Sequence, residues 1–234
     1  MTESTNPVAA LFEMTRKALR QKLELGETEI MIPRENLERM PEPVKDYENL
    51  EEFENDINEC TKCPLHKGRT KFVFGVGNPD TDIIFIGEGP GREEDLQGEP
   101  FVGRAGKLLD KILAAINFER SEVYIANIVK CRPPNNRDPE PSEMETCLPY
   151  LLKQIEMINP RFICCLGRIA AQALLDTKLP LGKLRGDFHD WNDRKVMVVT
   201  YHPAALLRFP QYKRETWADV QMLRKAYDEF KASS

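Results

Sequence analysis

The stretch DIIFIGEGPGREED, residues 82–95, decides the fold, because it joins a short apolar run to a glycine-rich turn and an acidic segment. The run Ile83 to Ile86 has the length of a buried strand. Three further runs have the same length and character, and they lie at Val123 to Val129, Phe162 to Leu166 and Val196 to Thr200. The chain therefore contains four predicted strands.

Helical patterns separate these strands. They are predicted at Lys107 to Ala115, Ser142 to Met157 and Arg168 to Leu175, with a last helix over about Thr216 to Lys231. Strands that alternate with helices indicate an α/β layer structure with a largely parallel sheet. Ligands of such sheets bind beyond the carboxyl ends of the strands, and the motifs described below fall at those ends.

The N-terminal part of the chain has a different composition. Residues 1 to 60 hold seven Lys/Arg against fifteen Asp/Glu, a net charge of −8, whereas residues 61 to 234 hold 26 against 23, a net charge of +3. A mildly basic remainder permits contact with phosphates. The apolar spacing from Val8 to Leu25 predicts an amphipathic helix, and prolines with the acidic run Glu48 to Glu59 place a boundary between about 45 and 55. We expect an acidic, partly helical extension over residues 1–52 and a main domain over residues 53–234.

Composition also narrows the cellular setting. No apolar run approaches the roughly 20 residues that a membrane span needs, and the pattern of a secretory signal is not present. We expect a cytosolic protein without a membrane partner. Six cysteines in a reducing compartment are then ligands or buried apolar residues rather than disulfides.

Four of the cysteines have the spacing of a metal or cluster site. Cys60 and Cys63 form a C-x2-C pair, Cys131 follows after 67 residues, and Cys147 follows after 15 more. A tight loop and two distant segments can close a four-thiolate cage around a metal or cluster. Structural zinc is an alternative, with His66 as an optional ligand, and so is a purely packing role for the last two cysteines.

The other two cysteines, Cys164 and Cys165, lie inside the predicted strand RFICCLG. Neighbouring side chains of a strand point to opposite faces of the sheet. We interpret them as packed core thiols.

Two glycine-rich segments follow the first strand. The turn GEGPGREED, residues 87–95, lets backbone amides approach a ligand, although it has neither the Lys-Ser/Thr of a phosphate loop nor the G-x-G-x-x-G order. A purely structural turn is the alternative. In EPFVGRAG, residues 99–106, Phe101 is either a core residue or a stacking platform.

Polar side chains stand at the ends of the second and fourth strands. Asn127, in YIANIVKCRPPNNRDPEP, carries a donor and an acceptor, so it can pair with a ligand edge that offers the complement. His202, in TYHPAALLR, can donate to a developing anion. Leu206 and Leu207 are candidates for a wedge that fills the gap left by a flipped base. The alternative interpretation is an ordinary helix start with two core leucines.

Together these segments resemble the family 4 uracil-DNA glycosylases of the wider uracil-DNA glycosylase superfamily. The resemblance runs from Cys60 to about Trp217 and rests on GEGPG-x-EED, PFVGRAG, NIVKCRPPNNRDP and HPAALLR, in this order and with the four cysteines. It implies a three-layer α/β/α fold with a four-stranded parallel sheet. It also implies a structural [4Fe–4S] cluster held by Cys60, Cys63, Cys131 and Cys147.

The resemblance also implies a role for each candidate site residue. Glu88 and Gly89 would lie at the sugar and base, Phe101 would stack on uracil, Asn127 would read its pairing edge, Glu94 would exclude the thymine methyl, and His202 would donate to O2. We add Arg208 to Leu206 and Leu207 as the residues of the DNA wedge and phosphate contact.

The implied activity is excision of uracil from single- or double-stranded DNA, leaving an abasic site without strand cleavage. Gly89 stands where the best-known uracil glycosylases have an Asp, so the general base stays open and Glu88 is the adjacent candidate. The rival is a catalytically silent iron–sulfur module that binds DNA or accompanies a polymerase. A self-trapping relative with a histidine after the second strand is rejected, because CRPPNNRDP has none.

The assembly and setting complete the expectations. We expect a monomer in a prokaryotic cytoplasm, associated with the nucleoid. The extension over residues 1–52 is open to three interpretations: a helix that binds a repair or replication partner, a lid for DNA ends, or a decoration of one lineage.

Overall fold

The structure is a computed structural model that describes residues 45–191 and 195–233. Its six strands form one sheet in the order β1-β3-β2-β4-β6-β5. The strands are β1 Val76–Gly77, β2 Ile83–Gly87, β3 Tyr124–Asn127, β4 Phe162–Leu166, β5 Phe188–Trp191 and β6 Lys195–Thr200.

The four central strands are parallel and are the four predicted from the apolar runs. Their register places Gly87 opposite Asn127 and Leu166 opposite Thr200. The two edge strands, β1 and β5, are antiparallel and were not predicted. Strand β1 has only two residues, and β5 alternates exposed with half-buried residues instead of forming an apolar run. The predicted parallel sheet is therefore the centre of a mixed, six-stranded sheet.

Eight α-helices occur in the described part of the chain. They are α1 Leu50–Ile57, α2 Arg92–Gln97, α3 Arg104–Ala115, α4 Pro141–Ile158, α5 Arg168–Leu175, α6 Leu181–Leu184, α7 Pro203–Arg208 and α8 Lys213–Ser233. The four helices predicted from the sequence correspond to α3, α4, α5 and α8. Among the described residues, no helix has the length and apolar character to span a membrane.

The helices cover both faces of the sheet, which confirms the three-layer α/β/α arrangement. On one face, side chains of α1, α4 and α5 pack against residues such as Ile84 and Cys165. On the other, α3 and α8 pack against residues such as Phe85 and Cys164. Both cysteines of β4 are fully buried on opposite faces, so the prediction that they are packed core thiols is confirmed.

Helix α1 lies within the acidic run before the first cysteines, and its apolar side chains are part of the core. Asn49 caps it, because its Oδ1 accepts a hydrogen bond of 2.9 Å from the Glu52 N–H. Phe53 is buried and packs edge-on against Phe74. The predicted helix over residues 8–25, and the extension up to residue 44, lie outside the described residues, and the boundary at residue 52 stays a prediction.

A buried hydrogen-bond network around Asp219 of α8 includes Arg185, which follows α6, and Thr200 at the end of β6. The Arg185 guanidinium donates to both carboxylate oxygens of Asp219, at 2.8 and 3.1 Å. The Thr200 hydroxyl donates to the same carboxylate at 2.8 Å, and Asp219 is only 1% exposed. This network holds the last residue of β6, two positions before His202.

We expect D219A to lower the free energy of unfolding by about 3 kcal/mol, because it removes the buried carboxylate that pairs with Arg185 and accepts from the Thr200 hydroxyl. Denaturant unfolding followed by circular dichroism measures the change. D228A is the matched control, since the exposed pair Arg224–Asp228 on the same helix contributes less than about 1 kcal/mol. Equal losses for the two variants would contradict the expectation.

Candidate active site and thiol cluster

The carboxyl ends of the parallel strands bring three predicted residues to one edge of the sheet. Glu88 follows β2 directly, Asn127 is the last residue of β3, and His202 lies two residues after β6. The parallel pairing extends past β2, since the Val129 N–H donates to the Glu88 carbonyl at 3.1 Å. The backbone on which these side chains stand is therefore fixed by the sheet.

Asn127 is 2% exposed, and its Oδ1 is the one buried side-chain oxygen or nitrogen of the described residues that lacks a hydrogen-bond partner. A Cβ added at Gly87 would lie 2.5 Å from this oxygen and 2.6 Å from Cζ of Phe101. Because residue 87 is glycine, the Asn127 amide and the Phe101 ring can both lie close to the end of β2. An unpaired buried acceptor is costly in a folded protein and indicates a missing donor.

Phe101 is buried in a left-handed backbone conformation, with φ of 55°. Its ring centroid lies 5.4 Å from that of His202, with the planes tilted by 32°. The Glu94 carboxylate fixes the turn, because it accepts from the N–H groups of Val102 and Gly103 at 3.0 and 2.8 Å. Glu94 therefore holds the loop that carries the aromatic ring.

His202 is a neutral hydrogen-bond donor in this setting. Its Nδ1 accepts from the Ala204 N–H at 3.1 Å, so the proton of the neutral ring is assigned to Nε2. Burial lowers its pKa to about 4; the Glu94 charge opposes this shift and the Arg208 charge adds to it. Gly167 makes room for the ring, since a Cβ there would lie 3.0 Å from Cβ of His202.

Glu88 has the properties of a base that works near neutral pH. The pKa of Glu88 is raised to about 7, chiefly by burial. The Asp138 charge contributes to this rise, and the Arg168 charge opposes it. Arg168 and Asp138 form an ion pair of 2.6 Å. The sequence does not reveal this pair, although Asp138 lies in the motif NIVKCRPPNNRDP. Neighbouring Gly89 packs closely, because a Cβ there would lie 2.6 Å from Cγ2 of Val129.

The structure separates the two leucines of the predicted wedge. Leu207 is 41% exposed, whereas Leu206 is 2% exposed and lies inside the protein. Arg208 is exposed beside Leu207 at the end of α7. A side chain that fills the core cannot enter DNA, so the wedge assignment is narrowed to Leu207.

The four cysteines predicted as ligands lie close enough to influence one another. Burial raises the pKa of Cys63, Cys131 and Cys147, and neighbouring thiols raise each of them further. Hydrogen-bond donors face three of the sulfurs. The Tyr150 hydroxyl reaches Cys60 Sγ at 3.3 Å, Arg69 reaches Cys131 Sγ at 3.5 Å, and the Lys130 N–H reaches Cys147 Sγ at 3.3 Å.

This chemistry fits a polynuclear cluster, which needs four thiolates and N–H or O–H donors to their sulfurs. Among residues 45–191 and 195–233, no three or more His, Cys, Asp or Glu side chains are grouped so that they could hold a metal ion. His66, the optional ligand, has its Nδ1 2.7 Å from the Cys63 carbonyl oxygen.

Comparison with known proteins agrees with this geometry. A family model described as Uracil DNA glycosylase superfamily matches residues 74–221. A type-4 uracil-DNA glycosylase of Archaeoglobus fulgidus is 47% identical over 75% of this chain and 92% of its own length. Those of Thermotoga maritima and Saccharolobus solfataricus are 50% and 44% identical, over 69% and 76% of this chain and 84% and 87% of their own lengths. The chain belongs to the type-4 uracil-DNA glycosylases of this superfamily.

Proposed function

We propose that this enzyme removes uracil from DNA by hydrolysing the N-glycosidic bond of a flipped deoxyuridine, which leaves an abasic site and an intact strand. The observation that carries the proposal is the unpartnered Oδ1 of buried Asn127 beside the Phe101 ring. Uracil offers an N3–H donor for that oxygen, and its O4 can accept from the Asn127 amide. Cytosine has an acceptor at N3, so it would leave the oxygen unpaired.

The bond between C1′ and N1 breaks with its electron pair moving onto uracil, where negative charge builds at O2. The neutral His202 donates Nε2–H to O2, and a donor aimed at charge that appears in the transition state stabilises it by about 3 to 4 kcal/mol. Water adds at C1′, and its proton passes to the Glu88 carboxylate. No lysine nucleophile takes part, so no strand cleavage follows.

Phe101 and Glu94 shape the base pocket. The Phe101 ring offers a stacking face to uracil, and the hydrogen bonds from the loop to Glu94 keep that face in place. We place Glu94 near uracil C5, where it would exclude the methyl group of thymine. Gly89 would lie against the base through its backbone, since Val129 occupies the space into which a side chain at position 89 would extend.

We propose that Cys60, Cys63, Cys131 and Cys147 hold a [4Fe–4S] cluster. When bound, the cluster supplies iron–thiolate bonds that link the N-terminal cysteine loop to the segment after β3 and to α4. That role is structural, because no step above needs electron transfer.

DNA, single- or double-stranded, is the proposed partner of the edge that carries the site. Leu207 would fill the space of the flipped nucleotide, and Arg208 would contact a phosphate. The enzyme would act as a monomer. A catalytically silent DNA-binding module would need neither a neutral, half-buried histidine nor an unpaired acceptor, so nothing in this site favours that alternative.

The first prediction concerns excision itself. Purified protein should convert a uracil-containing oligonucleotide, single-stranded or duplex, into a product that breaks only after alkali treatment. N127A should lower kcat/KM by about 10- to 100-fold, because both proposed hydrogen bonds to the base are lost. The matching thymine oligonucleotide should stay intact. Strand breaks without alkali, or an N127A variant with full activity, would contradict the proposal.

The second prediction concerns His202. Replacing it with Ala should lower the single-turnover rate about 10²- to 10³-fold, because the donor to O2 is gone, while binding of abasic-site DNA stays near normal. H189A is the control, since His189 lies on the edge strand β5 and contacts the Leu184 carbonyl. A loss confined to DNA binding would assign His202 a different role.

The third prediction concerns pH. Glu88 accepts a proton only when ionised, so kcat/KM should rise with pH, with a midpoint of about 7, and then level off. E88Q should remove this rise together with most of the turnover. D138N should move the midpoint to lower pH, because it removes a negative charge that raises the Glu88 pKa. A wild-type profile without this rise would exclude Glu88 as the base.

A further inference from the structure

Lys130 is fully buried, with 0% exposure, between the end of β3 and the cluster cysteine Cys131. Its ammonium donates to Oε1 of Gln154 at 2.6 Å. The amide nitrogen of Gln154 donates to the Phe74 carbonyl at 3.1 Å and faces the Tyr124 hydroxyl at 3.2 Å. These bonds orient the Gln154 amide so that its oxygen points toward the Lys130 ammonium. A buried cation is therefore held by a neutral partner.

A neutral partner does not compensate a buried charge. Within the part of the chain that the structure describes, Lys130 forms no ion pair with a carboxylate. Lys153, on α4, shows the usual arrangement, since it pairs with Asp46 at 3.0 Å and with Glu156 at 3.1 Å. Removing a charge from water costs several kcal/mol unless an opposite charge lies nearby. Lys130 needs a negative charge from another source.

The thiol cluster, formed by Cys60, Cys63, Cys131 and Cys147, lies next to Lys130 and would become negative when its sulfurs bind iron as thiolates. The Lys130 backbone N–H donates to Cys147 Sγ at 3.3 Å, its ammonium interacts electrostatically with the same thiol, and Cys131 is the next residue. Arg69 is the other cation at these sulfurs, but its side chain also meets the Cys60 carbonyl and lies 3.8 Å from the Glu59 carboxylate. Four thiolates around a [4Fe–4S] cluster carry net negative charge.

We propose that Lys130 is the internal counter-ion of the cluster and raises its reduction potential. The inference rests on the cluster proposed above. Reduction adds an electron, and a cation held in a region of low dielectric favours the added negative charge. The same charge in water would act weakly, because solvent and ions screen it.

The test is the reduction potential of K130M, in which a side chain of similar length lacks the charge. The matched control is K62M, because Lys62 directly precedes Cys63 as Lys130 precedes Cys131, but its side chain is exposed. Iron and acid-labile sulfide per chain are measured first in each protein, and direct electrochemistry then gives the potential. We expect K130M to shift the redox equilibrium at least tenfold toward the oxidised cluster, about 59 mV more negative. K62M should shift it by less than K130M does.

A cluster-loaded K130M with the wild-type potential, or an equal shift in K62M, would overturn the inference. If K130M does not retain a cluster, Q154E decides, because it gives Lys130 a carboxylate partner and should also make the potential more negative. A loaded Q154E with the wild-type potential would overturn the inference as well. Wild-type protein without iron and sulfide would refute the cluster itself, so the two failures are distinguishable.

Discussion

Parallel pairing of β2, β3, β4 and β6 is the constraint on which the site depends. Each strand comes from a different part of the chain, and the register that sets Gly87 opposite Asn127 makes their carboxyl ends coincide. Glu88, Asn127 and His202 are more than one hundred residues apart in sequence from first to last, yet they share one edge. The hydrogen bonds of the sheet therefore fix the positions of the three proposed catalytic residues, which no local segment could fix.

The segment after β3 connects the candidate active site to the four cysteines of the thiol cluster. Asn127 is the last residue of the strand and belongs to the proposed base pocket. Lys130, three residues later, directly precedes Cys131 of the thiol cluster. Hydrogen bonds hold this segment on both sides: the Val129 N–H donates to the Glu88 carbonyl, and the Val73 N–H donates to the Lys130 carbonyl. The thiol cluster and the Asn127 amide are thus connected through a short segment that hydrogen bonds hold in place.

The sequence predicts the parts of this protein that follow from local pattern. Short apolar runs located the four parallel strands, and alternation placed Cys164 and Cys165 on opposite faces. The edge strand β5 has no such run, so it escaped prediction. The pair Arg168–Asp138 spans thirty residues and depends on tertiary placement. The difference between Leu206 and Leu207 depends on how α7 is rotated against the core, which composition does not reveal.

Phe101 keeps a backbone conformation that glycine would adopt without strain, which for other residues costs on the order of 1–3 kcal/mol. A glycine at this position would relieve the strain, but it would also remove a buried ring from the core and the proposed stacking face. Truncating a buried phenylalanine costs about 3 to 5 kcal/mol, which exceeds the strain. Stability and the proposed function therefore favour the same residue, so variants of this enzyme adapted to higher temperature are expected to retain the aromatic side chain together with its strained backbone.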